Sequence, residues 1–351
     1  MYSRRFICWI FPLLAIAVAA TTVCGPGDVA VVSLPDSYPL DLDHQAPGPD
    51  LAAWGDDLDT ALARSAESGR PVLALYRDPA DGPGAGGLTA QPLLAEAAEN
   101  LFVPLLLAAG DGEGGARVFD AEGHDLVPPA AEVNEPGELA ALMVAALEDG
   151  GGSAPRWLQL VAAENGAAER RMLTMAMYCY WEGEAKLGNM DGVLATRSGM
   201  MGEDEVVEVV YDPEALGFET LVARAREMDC ATSVYAHTAG DLARARELVG
   251  GDAKPAPERA GMIDERQVKY ALRRTPMAHL PLTPLQAAKI NADIRLGPDP
   301  ARWLSPRQLD LLDRVKACLA ENPDGLDTFL PPGKLSLLAD YEARLRHRLA
   351  E

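Results

Sequence analysis

The sequence predicts a mixed fold in three parts: an α/β unit, then a small α+β layer, then a mostly helical C-terminal extension. Three observations carry that expectation. Two apolar runs of the buried-strand type, residues 72–76 and 102–107, flank a helical stretch in the first part. In the second, a β-branched run over 205–211 ends at Asp212-Pro213, and Phe218, Leu221, Val222, Ala225 and Met228 then share one helical face. From about residue 265, Pro281, Pro284, Pro306, Pro331 and Pro332 divide helical spacing into three helices.

Residues 1–20 read as a signal peptide. Arg4 and Arg5 supply a positive start, residues 6–20 form an apolar run broken by Pro12, and residues 17–20 offer an A-x-A-like cleavage point. The run is shorter than the roughly 20 apolar residues of a spanning helix. The expected location is periplasmic or extracellular, the alternative being a membrane anchor made by an uncleaved N-terminus. Residues 21–50, rich in Pro, Asp and Gly, form an extended lead-in.

The first unit covers 51–150. It reads in order as a helix over 58–68, a strand over 72–76, a Gly/Pro-rich loop over 78–87 and a helix over 92–100. A strand over 102–107, an apolar piece at 116–119 with a turn at 120–123, and a helix over 135–148 follow. That order is expected of a thioredoxin-like unit, and Gly69-Arg70-Pro71-Val72-Leu73-Ala74-Leu75-Tyr76 with Leu101-Phe102-Val103-Pro104 resembles such domains. The resemblance implies a C-x-x-C after the first strand, but residues 78–87 hold no cysteine, and no proline stands just before Val118. Dithiol exchange needs a thiolate, so this unit is expected to be structural or a docking surface. Its loop also lacks the Lys-Ser/Thr of a phosphate-binding P-loop.

Residues 150–155 read as a linker. Beyond it, 151–250 carries a strand over 171–178, a helix start over 181–187, strands over 194–198 and 205–211, and a helix over 217–228. This β-α-β-β-α order predicts a ferredoxin-like α+β domain. Residues 251–351 form the helical extension.

Composition narrows the function. A formal net charge of −22 repels nucleic acid and anionic lipid, whose binding rests on Lys and Arg. The five cysteines (8, 24, 179, 230 and 318) form no C-x-x-C, and the histidines at 44, 124, 237, 279 and 347 are scattered. Neither a metal site nor a cofactor is expected.

The chemistry-bearing segment lies at about 172–235. Tyr178-Cys179-Tyr180-Trp181, with Glu184 behind it, stands at a strand-to-helix junction. Met190-Asp191-Gly192-Val193-Leu194-Ala195-Thr196-Arg197-Ser198-Gly199 follows, then Gly202-Glu203-Asp204-Glu205-Val206-Val207-Glu208-Val209-Val210-Tyr211-Asp212-Pro213, and a helix with Phe218, Thr220 and Leu221. Taken together these resemble the methionine sulfoxide reductase A family, whose G-C-F-W, P-G-V-x-x-T-x-x-G and G-H-A-E-V-V-x-V-x-Y-D-P stretches stand in the same register. The resemblance implies Cys179 as nucleophile, Glu205 as acid, and Tyr180 with Trp181 as the pocket for the S-methyl group.

The residues agree with those roles. A cysteine at a helix N-terminus meets the positive end of the helix dipole, which favours thiolate. Glu205 stands next to Glu203 and Asp204, like charges that favour an acid holding its proton. Aromatic rings suit sulfur. The sulfenic acid left on Cys179 is normally resolved by a second thiol, for which Cys230 and Cys318 are the candidates. The family's N-D-x-G-x-Q-Y element has a faint echo in Asp264 to Tyr270, nominating Asp264 and Tyr270.

The pattern also departs from the family. The glycine before the cysteine is Tyr178, the phenylalanine after it Tyr180, the histidine before the glutamate Asp204, and the loop between Gly199 and Glu205 is nearly deleted. The expected function is therefore reduction of methionine-S-sulfoxide in exported proteins, with an external thioredoxin-type thiol as reductant. The alternative is a non-catalytic redox-sensing or interaction module that keeps the fold.

Overall fold

The computed structural model describes residues 54–77, 91–109, 115–130, 136–256, 260–261, 263–327, 329, 331 and 338–350. The expected signal peptide and lead-in, Cys8, Cys24, the loop over 78–87 and Pro332 lie outside the described residues.

The first sheet grows from its most apolar strand. β1 (Val72–Arg77) is central, which is why it reads as a nearly continuous apolar run. β2 (Val103–Ala108) pairs with it in parallel, Val72 opposite Val103. β3 (Gly115–Phe119) pairs on the other side, antiparallel, Val72 opposite Phe119. Bridges from Ala116 to Ala130 and from Phe119 to Asp125 fold the chain back along β3. α1 (Leu58–Ser68) starts where Asp57 accepts the Thr60 N–H and stops at Gly69 in the left-handed region. α2 (Pro92–Leu101) links β1 to β2, and α3 (Pro136–Asp149) follows β3.

Residues 150–155, expected as a linker, form a tight turn into α4 (Arg156–Gly166), a helix the sequence reading did not anticipate. α4 packs on α3 and gives Trp157, Leu158 and Val161 to the same core as Leu73, Leu94, Phe102 and Met143.

The second sheet has the order β5-β6-β4-β7-β8, made by β4 (Arg171–Ala176), β5 (Val193–Met201), β6 (Asp204–Tyr211), β7 (Ser233–Ala236) and β8 (Ala253–Pro255). β4 lies antiparallel to both β6 and β7, and β5 antiparallel to β6. With α5 (Tyr180–Gly188) between β4 and β5, and α6 (Phe218–Glu227) between β6 and β7, this is the β-α-β-β-α-β order of a ferredoxin-like layer. The closing strand β7, the crossover helix α7 (Ala239–Val249) and β8, parallel to β7, extend the β-α-β-β-α expected from sequence. The turn into β5 needs a glycine: Gly192 has φ +85, and a Cβ there would lie 2.5 Å from that of Leu216.

Alternation sends the two faces of this sheet to different cores. Leu173, Met175, Val207 and Val209 meet Phe218 and Leu221 of α6 on one face. Met172, Leu194 and Val210 meet the C-terminal region on the other. That region holds a short α8 (Tyr270–Arg273), then α9 (Pro284–Leu296), α10 (Pro306–Glu321) and α11 (Leu338–Arg348). α9 and α10 begin at two of the prolines that mark them in the sequence, each behind a capping box, Thr283 with Gln286 and Ser305 with Gln308.

Candidate active site

The site is built on the junction between β4 and α5. Met177 extends the ladder by donating its N–H to the Glu205 carbonyl, 2.9 Å away. Tyr178 then stands 95% exposed. Cys179 is extended (φ −140°, ψ 106°) and N-caps α5 with its backbone alone, its side chain making no capping hydrogen bond. Its thiol is half-buried.

The first N–H of α5 lacks an intrahelical acceptor, and Glu205 supplies one: its Oε2 accepts from the Tyr180 N–H at 2.9 Å. A residue 25 positions away thereby comes to the residue next to Cys179. The Tyr180 phenol lies close to both. Burial first, then the charges of Glu205 and Cys179, push its ionisation above the usual tyrosine range.

Aromatic rings form the wall. Trp181, 37% exposed, meets Tyr180 edge-to-face, centroids 5.7 Å apart at 82°. Its other neighbour is Tyr270, stacked at 4.3 Å and 17°. Arg274 places its guanidinium 5.2 Å from the Tyr270 centroid and donates Nη1–H to the phenol oxygen at 3.0 Å. The faint sequence echo at Tyr270 therefore does meet the cysteine's helix.

Behind this wall lies a buried ion pair that the sequence reading did not anticipate. Glu184 of α5 is fully buried. Its Oε1 accepts from Lys269 Nζ at 2.8 Å, and its Oε2 from the Lys269 backbone N–H at 2.8 Å and the Ser198 hydroxyl at 2.8 Å. Lys269 Nζ also donates to the Thr196 hydroxyl at 3.0 Å and to the Thr196 carbonyl. Residues 85 apart in sequence give no local signal of such a pairing.

The other nominated residues have their described contacts elsewhere. Asp264 is exposed and bonds the backbone and guanidinium of Arg266, which hold its carboxyl below the usual range. Cys230 is buried in the core beneath α6, donates weakly to the Met228 carbonyl at 3.4 Å, and has its thiol pushed up to about 11 by burial. It lies near Lys186, two turns along α5 from Cys179. Cys318 packs against the C-terminal core, and the three described cysteines are free. The like-charge crowding expected around Glu205 is also absent. Alternation turns Asp204 to the opposite face, where it accepts from the Tyr235 hydroxyl at 2.5 Å and from Lys254 Nζ at 3.2 Å, while Glu203 is exposed. Those partners hold the Asp204 carboxyl below its usual range. Among the described residues no group of three or more His, Cys, Asp or Glu is placed to hold a metal ion, and no helix is long and apolar enough to cross a membrane.

No family model matches the chain, and no curated protein matches it. Among solved structures the chain is similar to methionine sulfoxide reductase A of Corynebacterium diphtheriae, at 20% identity, over 30% of this chain and 75% of that one, with a TM-score of 0.26. A likeness of that size carries no argument about activity.

Proposed function

We propose that this chain is a thiol oxidoreductase that reduces methionine-S-sulfoxide in proteins or peptides outside the cytoplasm. The observation that carries the reading is the 2.9 Å hydrogen bond from the Tyr180 N–H to Glu205 Oε2, which sets a carboxyl group beside the half-buried Cys179 at a helix N-terminus. On this reading the nucleophile and the acid stand at the N-terminus of α5, with the rings of Tyr180, Trp181 and Tyr270 beside them.

In the reaction, Cys179 attacks the sulfoxide sulfur while Glu205 protonates the sulfoxide oxygen. That attack forms an S–S bond in a hydroxysulfurane. The hydroxyl then passes from the methionine sulfur to the Cys179 sulfur as the S–O and S–S bonds to the methionine sulfur break, releasing the thioether and leaving a sulfenic acid on Cys179. An external thiol then condenses with it, releasing water and leaving a mixed disulfide, and a second thiol frees Cys179. Aromatic faces receive the S-methyl group, since sulfur–aromatic contacts are favourable and tolerant of shape.

The test is single-turnover reduction of a methionine-S-sulfoxide peptide by the pre-reduced full chain, beside its Cys179→Ser variant. Stoichiometric methionine from the wild type and none from the variant supports the reading. No methionine from a folded wild type with an alkylatable Cys179 sinks it. A second reading, a redox-sensing module without turnover, is favoured by the burial of Cys230, which suits it poorly to resolving a sulfenic acid on Cys179. It expects Cys179 to oxidise under peroxide without methionine ever forming.

A further inference from the structure

We infer that Lys269 is the positioning residue of the Cys179 site: paired with Glu184, it sets Tyr270 against Trp181 and so fixes the aromatic pair on the helix that Cys179 caps. This rests on the proposed reading only where it concerns turnover.

Trp181 and Glu184 are three residues apart on α5 and share a face of it. The Glu184 carboxylate binds residue 269 twice, once through the ammonium and once through the backbone N–H. Such double attachment fixes orientation as well as position. Lys269 is also left-handed, at φ 52° and ψ 47°. A non-glycine residue holds that conformation at a cost, and does so where its surroundings over-determine it. Here the surroundings are Glu184 and Thr196, which take every bond the ammonium makes. The very next residue is Tyr270, whose ring lands 4.3 Å from Trp181. Hence α5 carries the nucleophile at its N-terminus, one aromatic ring in its first turn, and the anchor for the second ring one turn on. A buried ion pair adds little net stability over an apolar pair of the same shape, and its best-attested use is to select one geometry. The consequence is a wall that governs ligand capture more than the chemical step.

The test uses Lys269→Met, Lys269→Arg, Tyr270→Ala and the double variant Glu184→Gln/Lys269→Met in the full chain. Trp181 emission and its quenching by acrylamide are isolated by subtracting the same protein carrying Trp181→Phe, since the chain has five tryptophans. Lys269→Met is expected to expose Trp181 to quencher as much as Tyr270→Ala does, with Lys269→Arg returning most of the wild-type signal. With a methionine-S-sulfoxide peptide, KM should rise roughly three- to tenfold, the size of one lost aromatic contact, while kcat moves by less than about twofold on the same reasoning. If Lys269→Met does not fold because Glu184 is left unpaired, the double variant, which removes both charges, gives the answer. The inference is overturned if Trp181 quenching is unchanged by loss of Lys269, or if kcat falls with KM unchanged. Collapse of both the single and the double variant also overturns it, since the pair would then hold the fold and not the wall. The quenching arm needs no turnover, so an inactive wild type would refute the reductase reading while leaving this inference to be judged on Trp181 alone.

Discussion

Glu205 holds two jobs that a single substitution can separate. As an acceptor it satisfies the first N–H of α5; as the proposed acid it delivers a proton. Glu205→Gln keeps a carbonyl oxygen for the Tyr180 N–H and removes the acid. Its stability should stay within about 0.5 kcal/mol of wild type in urea, with single-turnover reduction slowed roughly 10²–10⁴-fold. Glu205→Ala should show the same loss of rate and about 1 kcal/mol less stability, the value of the lost helix-end bond. A Gln variant reducing sulfoxide at the wild-type rate would exclude Glu205 as the acid. The cysteines separate equally well. Burial pushes the Cys230 thiol from 9.0 to about 11, so near pH 7.5 it carries on the order of 100-fold less thiolate than an unperturbed cysteine. Iodoacetamide followed by peptide mapping should therefore mark Cys179 in the native protein and reach Cys230 only after unfolding. Rapid native labelling of Cys230 would reopen its candidacy as the resolving thiol. At this scale the residues the sequence nominated stand at element boundaries, where local pattern is easiest to read: Cys179, Tyr180, Trp181 and Glu205 all do. Lys269 was not legible, because a buried lysine declares itself only through a partner, and Glu184 is 85 residues away.

The junction that carries Cys179 depends on how β4 meets α5, and one glycine controls that meeting. Met177, the last buried residue before the turn, lies across Gly183, where a Cβ would come within 1.7 Å of the Met177 sulfur. Gly183→Ala ought to gain helix propensity, yet it forces Met177 aside, a core clash worth about 1–3 kcal/mol. The expected result is a lower urea midpoint, and recovery of most of the loss when Met177→Ala is added. Additive losses in the double variant would show that the contact is not what limits Gly183. β6 announces itself as a β-branched run, and α6 by a clean apolar stripe, so the β-α-β-β-α series was predictable from local pattern. β7 and β8 span only four and three residues, too short for any alternation to register. β7 is a strand because β4 offers it an open edge from Leu173 through Ala176, and β8 because β7 offers one in turn; both are tertiary facts. α4 was hidden for another reason: three glycines before it read as a linker, while its Trp157, Leu158 and Val161 answer to the core formed by the first sheet.

At the scale of the whole described structure, two buried carboxylates from the first half tie down the helices of the C-terminal region. Glu96 of α2 accepts from the Ser305 hydroxyl at 2.6 Å and the Arg307 N–H at 2.8 Å, at the start of α10. Glu164 of α4 accepts from the Leu285 N–H at 3.0 Å, in the first turn of α9. No local pattern marks either, because each looks on its own helix like an ordinary surface glutamate. Their burial makes the assembly sensitive to pH. Desolvation pushes Glu164 from 4.5 up to about 7 and raises Glu96 as well. The sign follows from proton binding. Between about pH 4.5 and 7 the folded chain keeps the Glu164 proton that the unfolded chain has released. This contribution to stability is therefore complete below 4.5, falls as pH rises through that window, and is gone above about 7. A shift from 4.5 to about 7 corresponds to an upper bound on the order of 3 kcal/mol. Glu164→Gln imitates the protonated acid at every pH: it keeps an acceptor for Leu285 and cannot ionise. Urea unfolding of wild type and variant from pH 5 to 8 should then show two curves that lie close together at pH 5 and separate as pH rises, the variant the more stable at pH 8. Taking the difference between the two removes titration of Glu96 and the histidines, which both proteins share. A gap that stays constant across the range would mean that Glu164 does not hold its proton in the folded chain. Its place at the start of α9 would then be that of an ordinary ionised cap at a helix N-terminus.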